Sequence, residues 1–238
     1  MSLTLPDVDT TELLVTPEEL FVASQESLES LDFEDATGED YGLVAAALRE
    51  AQDELDRYLD RALLVHVETE RLAGSWRHDV RLGGYTAWLS AWPFVEGDAT
   101  SDVTAGDHGL APIDDDQRVL VTTLPDTTDA LGYVAGYRGR QHSLDGTPDG
   151  EGEPTTTALT GLEGLDALAT LPPQLPGTLA GVIMDLAYLR LDERKAGTVG
   201  GKRTAQKFPS GMVTSTGRRA GAEAEILDRA HAYRRLTV

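Results

Sequence analysis

From Leu175 to Lys195 the chain reads LPGTLAGVIMDLAYLRLDERK, and this run limits the possible folds more than any other. Leu175-Pro176 predicts the start of a helix over about 177–195, because proline fits a helix's first turn and not its interior. Leu179, Val182, Ile183, Met184, Leu186, Ala187, Tyr188, Leu189 and Leu191 cover almost the whole girth of that helix. A helix that is apolar all round must be buried on all sides. In a chain of 238 residues two covers are available: a β layer together with another helix, or a second copy of the chain. On the second option Leu179, Val182, Ile183, Leu186, Tyr188 and Leu189 are the candidates for subunit packing.

A second long helix is expected over about 41–63. Val44, Ala47, Leu48, Ala51, Leu55, Tyr58, Leu59 and Ala62 recur at steps of three and four and form one apolar stripe. Arg49, Glu50, Asp53, Asp56, Arg57, Asp60 and Arg61 occupy the other face. Thr16-Pro17-Glu18-Glu19 has the form of a capping box and predicts a shorter helix to about Ser30. Residues 1–15 read as an extended arm.

Between the long helices the period changes to two. Residues 64–71 and 76–82 alternate around Ala73-Gly74-Ser75, which predicts a hairpin with His66 facing His78. Further strands are expected at 85–89, 117–123 and 131–137, separated by acidic loops at 96–116 and 141–155. Residues 196–219 read as a long loop rich in Gly, Ser, Thr, Lys and Arg. A last helix over about 220–235 carries Ala224, Ile226, Leu227, Ala230 and Tyr233 on one side. The expected fold class is α+β and mainly helical. It has a helical core of two long helices plus a C-terminal helix, an inserted small antiparallel β region and extended terminal arms. The expected domains are 1–36 (arm and short helix), 37–195 (core with β insertion) and 196–238 (basic arm and helix). On these bounds, removing 196–238 leaves a folded core.

Charge narrows the function. The formal net charge is −21. Only Lys195, Lys202 and Lys207 are lysine, aspartate is abundant and cysteine is absent. Molar salt shortens the Debye length to about 3 Å, so carboxylates repel one another little and still hold water. The composition therefore predicts a halophilic protein that stays soluble at high ionic strength. No apolar run is long enough to span a membrane, and no secretory signal is evident. The sign of the charge also changes along the chain. Residues 1–189 carry 36 acids and 9 bases, whereas residues 190–238 carry 5 acids and 11 bases. Such a tail either grips an acidic partner or folds back on its own body.

Chemical motifs are tested and set aside. Ala196–Thr204 imitates a phosphate loop, but Ala196 replaces the first glycine, Arg203 replaces the hydroxyl residue, and a helix precedes it where a strand is required. Asp145–Glu153 resembles the start of a calcium loop, but Thr156 stands where the bidentate glutamate belongs. Asp114-Asp115-Asp116 reads as solvated surface. His66, His78, His108, His142 and His231 are scattered, and a zinc site needs three or four ligands. No G-x-S-x-G elbow is present. Trp76, Trp88 and Trp92 read as core or interface anchors, with a carbohydrate platform as the alternative. No catalytic residue, cofactor or metal is expected. The acidic body is unsuited to gripping DNA and suited to letting it slide past.

Several segments fall in a telling order: YLDRALLVHVETERL (58–72), AWPF (91–94), GYVAGYRG (132–139), LPGTLAGVIMDLAYLRLDER (175–194) and ILDRAHAYRR (226–235). Over roughly residues 37–238 this set resembles the head-to-tail connector (adaptor) family of long-tailed phages and haloarchaeal tailed viruses. That family reads as a helix ending near Y-x-x-R-x-L, a W-P strand, a G-Y strand, an L-P apolar helix ending near arginine, and a closing L-L-x-x-Y-R. The matching residues here are Tyr58–Leu63, Trp92-Pro93, Gly136-Tyr137, Leu175–Arg194 and Ile226–Arg235. The long acidic loops and the helix from Pro17 depart from the pattern. The resemblance implies a non-enzymatic virion protein at the capsid vertex, made in the host cytoplasm. It implies a ring of about twelve copies docked under the portal protein, extending the DNA channel as a platform for the next neck or tail protein. It also implies a portal-binding C-terminal segment, here Lys202, Arg203, Lys207, Arg218, Arg219, Arg234 and Arg235. The alternatives are a stopper or tail-terminator protein of the neck, or a halophilic carbohydrate-binding module or small enzyme.

Overall fold

The computed structural model describes residues 9–24, 39–70, 76–97, 111–113, 118–121, 131–142, 144–148, 154–159, 168, 171–196, 206–207, 213–214 and 219–234. Helices and small antiparallel sheets are both present, so the fold is mixed α+β. The chain divides into two compact units. One comprises 1–61, 139–141 and 175–238, and the other comprises 62–138 and 142–174. This cuts the chain differently from boundaries at 36 and 195, because helices from both ends share one unit.

The first unit holds α1 (Pro17–Ala23), α2 (Glu39–Leu59), α3 (Gly177–Ala196) and α4 (Arg219–Asp228). The capping box at α1 is complete. Glu19 N–H donates to Thr16 Oγ1 at 3.2 Å and Thr16 N–H donates to Glu19 Oε2 at 3.1 Å. α2 stops at Leu59, before the 63 that periodicity predicts. Asp60 takes φ 57°, Asp60 N–H donates to Arg57 O, and Arg61 N–H donates to Asp56 O. These two bonds form a Schellman cap, which satisfies the last carbonyls and ends the helix.

α3 meets the expectation of burial all round. Every residue from Leu179 to Asp192 is buried or half-buried. α2 and α4, which lie in the same unit, pack against it. Leu179, Val182, Ile183, Leu186 and Leu189 are at most 5% exposed within this one chain, so a second copy is not needed to cover them. Ala222, Ile226 and Ala230 are also buried. Deleting residues 196–238 would therefore remove apolar side chains that pack with α3.

Residues 9–15 are not an extended arm. A 3-10 turn at Thr10–Glu12 leads into Leu13, Leu14 and Val15, all buried. Gln52, itself buried on α2, accepts from Leu14 N–H at 2.9 Å and donates to Glu12 O at 3.2 Å. Gln141 Nε2 donates to Leu13 O. Three consecutive apolar side chains gain more from burial than from water, and glutamine side chains satisfy the backbone that goes in with them.

The second unit is β-rich. β1 (His66–Glu70), β7 (Leu131–Ala135) and β4 (Phe94–Gly97) form one sheet in the order β1-β7-β4. β2 (Arg77–Asp79), β3 (Gly84–Trp88), β6 (Arg118–Val121) and β5 (Ala111–Ile113) form another in the order β2-β3-β6-β5. The predicted hairpin between 64–71 and 76–82 is not made. β1 pairs with β7, β2 pairs with β3, and the partner of His78 is Tyr85. The acidic stretch 141–155 is not simply a loop, because β8 (Leu144–Pro148) pairs with β9 (Pro154–Leu159). Short strands β10 (Gln206–Lys207) and β11 (Val213–Thr214) lie within the segment read as a loop at 196–219, in the first unit.

β7 is the centre of the second unit. Tyr133 and Ala135 enter one core cluster with Ala87, Leu89, Ala91, Phe94 and Val119, while Val134 enters another with Val65, Val95 and Leu168. Gly136 then turns the chain at φ 110°, and a Cβ there would lie 2.7 Å from Leu64 O. Gly136 N–H donates to Pro93 O at 2.9 Å, Tyr137 N–H to Leu63 O at 2.7 Å, and Val65 N–H to Tyr137 O at 2.9 Å. The Trp92-Pro93 peptide bond is cis. Above this joint, Tyr133 Oη donates to Glu70 Oε1 at 2.9 Å and accepts from Ala91 N–H at 3.1 Å. Glu70 also accepts from Ser90 N–H at 3.0 Å. Burial, with the Glu70 carboxylate adding to it, pushes the Tyr133 phenol well above its ordinary range.

Gly136→Ala is expected to cost at least about 1–3 kcal/mol, from the strained φ alone, read as a lower urea midpoint. The alkaline behaviour of Tyr133 has a definite sign. Its folded pKa exceeds the unfolded value, so its contribution is complete below about pH 10 and declines as pH rises beyond that. Urea midpoints between pH 8 and 11 are expected to fall less steeply in Tyr133→Phe than in the parent chain.

Candidate assembly surface

The sequence offers the basic tail to a partner or to its own body, and the structure places three of its arginines. Arg190 on α3 is half-buried and faces two acids of α2, bonding Glu54 and lying 3.5 Å from Glu50. Arg229, just beyond α4, places Nη1 2.6 Å from Oδ2 of Asp185. Arg234 follows a 3-10 turn at His231–Tyr233, and its guanidinium sits 5.5 Å from the centre of the Tyr58 ring. All three contacts lie inside the first unit. These arginines fold back on the body that the sequence offered as an alternative to a partner.

Of the seven residues proposed for portal binding, Arg234 is thus engaged within the chain. Lys207 stands in β10 and Arg219 in the first turn of α4. Lys202, Arg203, Arg218 and Arg235 lie outside the described residues. Of the six proposed for subunit packing, Tyr188 is half-buried and the other five are buried on α3.

Asp185 was not singled out by the sequence reading. Its side chain is fully buried in the middle of the apolar helix. A carboxylate in such a place needs a cation or strong donors, because desolvation otherwise disfavours its charge. The one acid inside the run GVIMDLAYL is the signal that could have found it.

The residues tested for chemistry do not converge. His66 Nδ1 lies 2.7 Å from Leu64 O, His78 stacks obliquely on Tyr85 at 5.1 Å, and His142 is buried. His231 is exposed, and His108 lies outside the described residues. Among the described residues no group of three or more His, Asp or Glu is placed to hold a metal ion. Asp145 and Thr156 of the calcium-like segment stand in paired strands, an extended path unlike a calcium loop. Asp114, Asp115 and Asp116 lie outside the described residues. Trp76 packs on a core cluster, Trp92 is half-buried beside its cis proline, and Trp88 is exposed beneath the Arg118 guanidinium at 5.3 Å. Among the described residues no helix is long and apolar enough to cross a membrane. No family model matches the chain, and no curated protein matches its sequence significantly.

Arg229→Met is expected to lower stability by about 2–3 kcal/mol, the value of a hydrogen bond to a buried charge. Denaturant melts of the full chain measure it, and Arg229→Lys is expected to recover part of the loss.

Proposed function

We propose that this chain is a head-tail adaptor of a tailed virus living in high salt. Copies form a ring under the portal, extend the DNA channel and offer a platform to the next neck or tail protein. In this proposal the protein is mainly helical, and its long helices carry an inserted β region. One observation carries most weight. Three of the segments behind the family resemblance meet at a single backbone joint, where Leu63 and Val65, Pro93, and Gly136-Tyr137 exchange hydrogen bonds. At Gly136 the joint demands its residue type, since φ is 110° and a Cβ would meet Leu64 O. A fourth and a fifth support it in the first unit. The apolar helix after Leu175-Pro176 is covered by α2 and α4, and Arg234 of the closing segment returns to Tyr58. Short motifs that coincide with structural joints are stronger support than the same motifs scattered on the surface.

The acidic body fits a channel that DNA passes without sticking, since carboxylates repel phosphates at contact range even in salt. With Arg190, Arg229 and Arg234 held inside the unit, portal binding is assigned to Lys202, Arg203, Lys207, Arg218, Arg219 and Arg235. The test mixes the full chain with portal rings in molar salt and images the product. A second ring stacked on the portal is expected. Replacing Lys202, Arg203 and Arg218 together by glutamate is expected to abolish stacking while the circular dichroism spectrum is unchanged. No stacking by the parent chain counts against the proposal, and cross-links to tail proteins alone would point to a stopper or tail terminator.

A further inference from the structure

The loop joining β2 to β3 is built like a plug. Asp79 Oδ1 accepts from Arg81 N–H at 2.9 Å and Leu82 N–H at 3.2 Å, and Gly83 N–H donates to Asp79 O at 2.9 Å. Gly83 supplies the positive φ, 69°, that closes a four-residue loop onto Gly84. The loop is therefore preorganised by its own backbone bonds. What it presents is unusual for a surface loop. Val80 is 83% exposed and Leu82 44% exposed, beside the exposed residues Arg77 and Arg81. Apolar side chains at an ordered tip cost solvation that a partner would recover.

The sign of the charge is equally unusual. Residues 1–189 hold 36 acids and 9 bases, yet two of those bases flank this one tip. The only acid between them, Asp79, spends its carboxylate on the loop backbone. The tip thus opposes the charge of almost all the rest of the body, so the body of another copy complements it. The first unit carries a matching patch. Among the described residues of the first unit Val22 on α1 is the one large apolar side chain that stands exposed, at 66%. Glu18, exposed one helical turn before it, supplies the acid.

We infer that the 77–83 tip of one copy docks on α1 of a second copy, with Val80 and Leu82 against Val22 and Arg81 against Glu18. The contact joins two different patches, so repetition leads from copy to copy and closes into a ring when the rotation allows. Molar salt strengthens the apolar part and leaves the ion pair to set register at contact distance. The inference rests on the ring of the proposed function and names the surfaces that would build it.

Cysteine is absent from the chain, which makes the test clean. Val22→Cys and Val80→Cys are introduced singly and together in the full chain, which is treated with a short bismaleimide in molar salt, alone and with portal rings. The double variant is expected to give a ladder of covalent oligomers, and each single variant none. Arg81→Glu is expected to weaken self-association by about tenfold or more, and Glu18→Arg in the same chain to restore it. A cross-linked dimer of Val80→Cys alone means a symmetric contact and overturns the inference. So does association unchanged by Arg81→Glu, including the case where that variant alters only DNA retention. Rings on the portal without the Val22–Val80 cross-link overturn the inference and leave the adaptor reading standing. A ladder without any ring on the portal does the reverse, and neither ladder nor ring ends both.

Discussion

The girth of α3 is the constraint on which the helical unit depends. Its apolar surface runs all the way round, so cover must come from several directions at once. α2 supplies part of that cover from before the β insertion and α4 supplies part from after it. Helices from both ends of the chain thereby share one unit. Asp185 adds specificity to the same packing. A fully buried carboxylate needs a partner, and its pairing with Arg229 ties the region after α4 to α3.

The second unit depends on a different kind of constraint, a backbone approach too close for any side chain. At Gly136 the chain leaves β7 and touches the carbonyl of Leu64. Alternation along β7 then sends Tyr133 and Ala135 to one core cluster and Val134 to the other. The Tyr133 hydroxyl, the Glu70 carboxylate and the Ser90 and Ala91 amides close a polar knot beside the first cluster. Burial disfavours the phenolate there, so the hydroxyl stays neutral and donates to Glu70.

The sequence was most legible where one residue type has one physical use. The capping box at Thr16–Glu19, the proline start and all-round burial of α3, and strands close to 85–89, 117–123 and 131–137 follow from such rules. Strand partners were not legible. Residues 66–70 alternate, but the exposed positions are Val67 and Thr69 while Glu70 turns inward, because its carboxylate bonds Tyr133 and the Ser90 amide. A rule that sends apolar residues inward fails on this strand, and nearness in sequence gave the wrong partner. The end of α2 was missed because aspartate, not glycine, holds the left-handed cap at residue 60. Leu13, Leu14 and Val15 were read as an arm because three residues carry no period.

The basic tail was legible in charge and not in geometry. Summing acids and bases by position isolates a basic tail, but it cannot separate an arginine held by its own chain from one offered to a partner. Arg190, Arg229 and Arg234 belong to the first kind, with an acid or an aromatic ring of the same unit beside each. They spend positive charge on folding, which leaves the tail less basic toward a partner than its composition indicates. The same distinction raises the weight of Arg77 and Arg81, which stand exposed in a region where nearly every other charge is negative. In a strongly acidic protein the exposed base carries the information about contacts, because an exposed acid is the background that solubility in salt already requires.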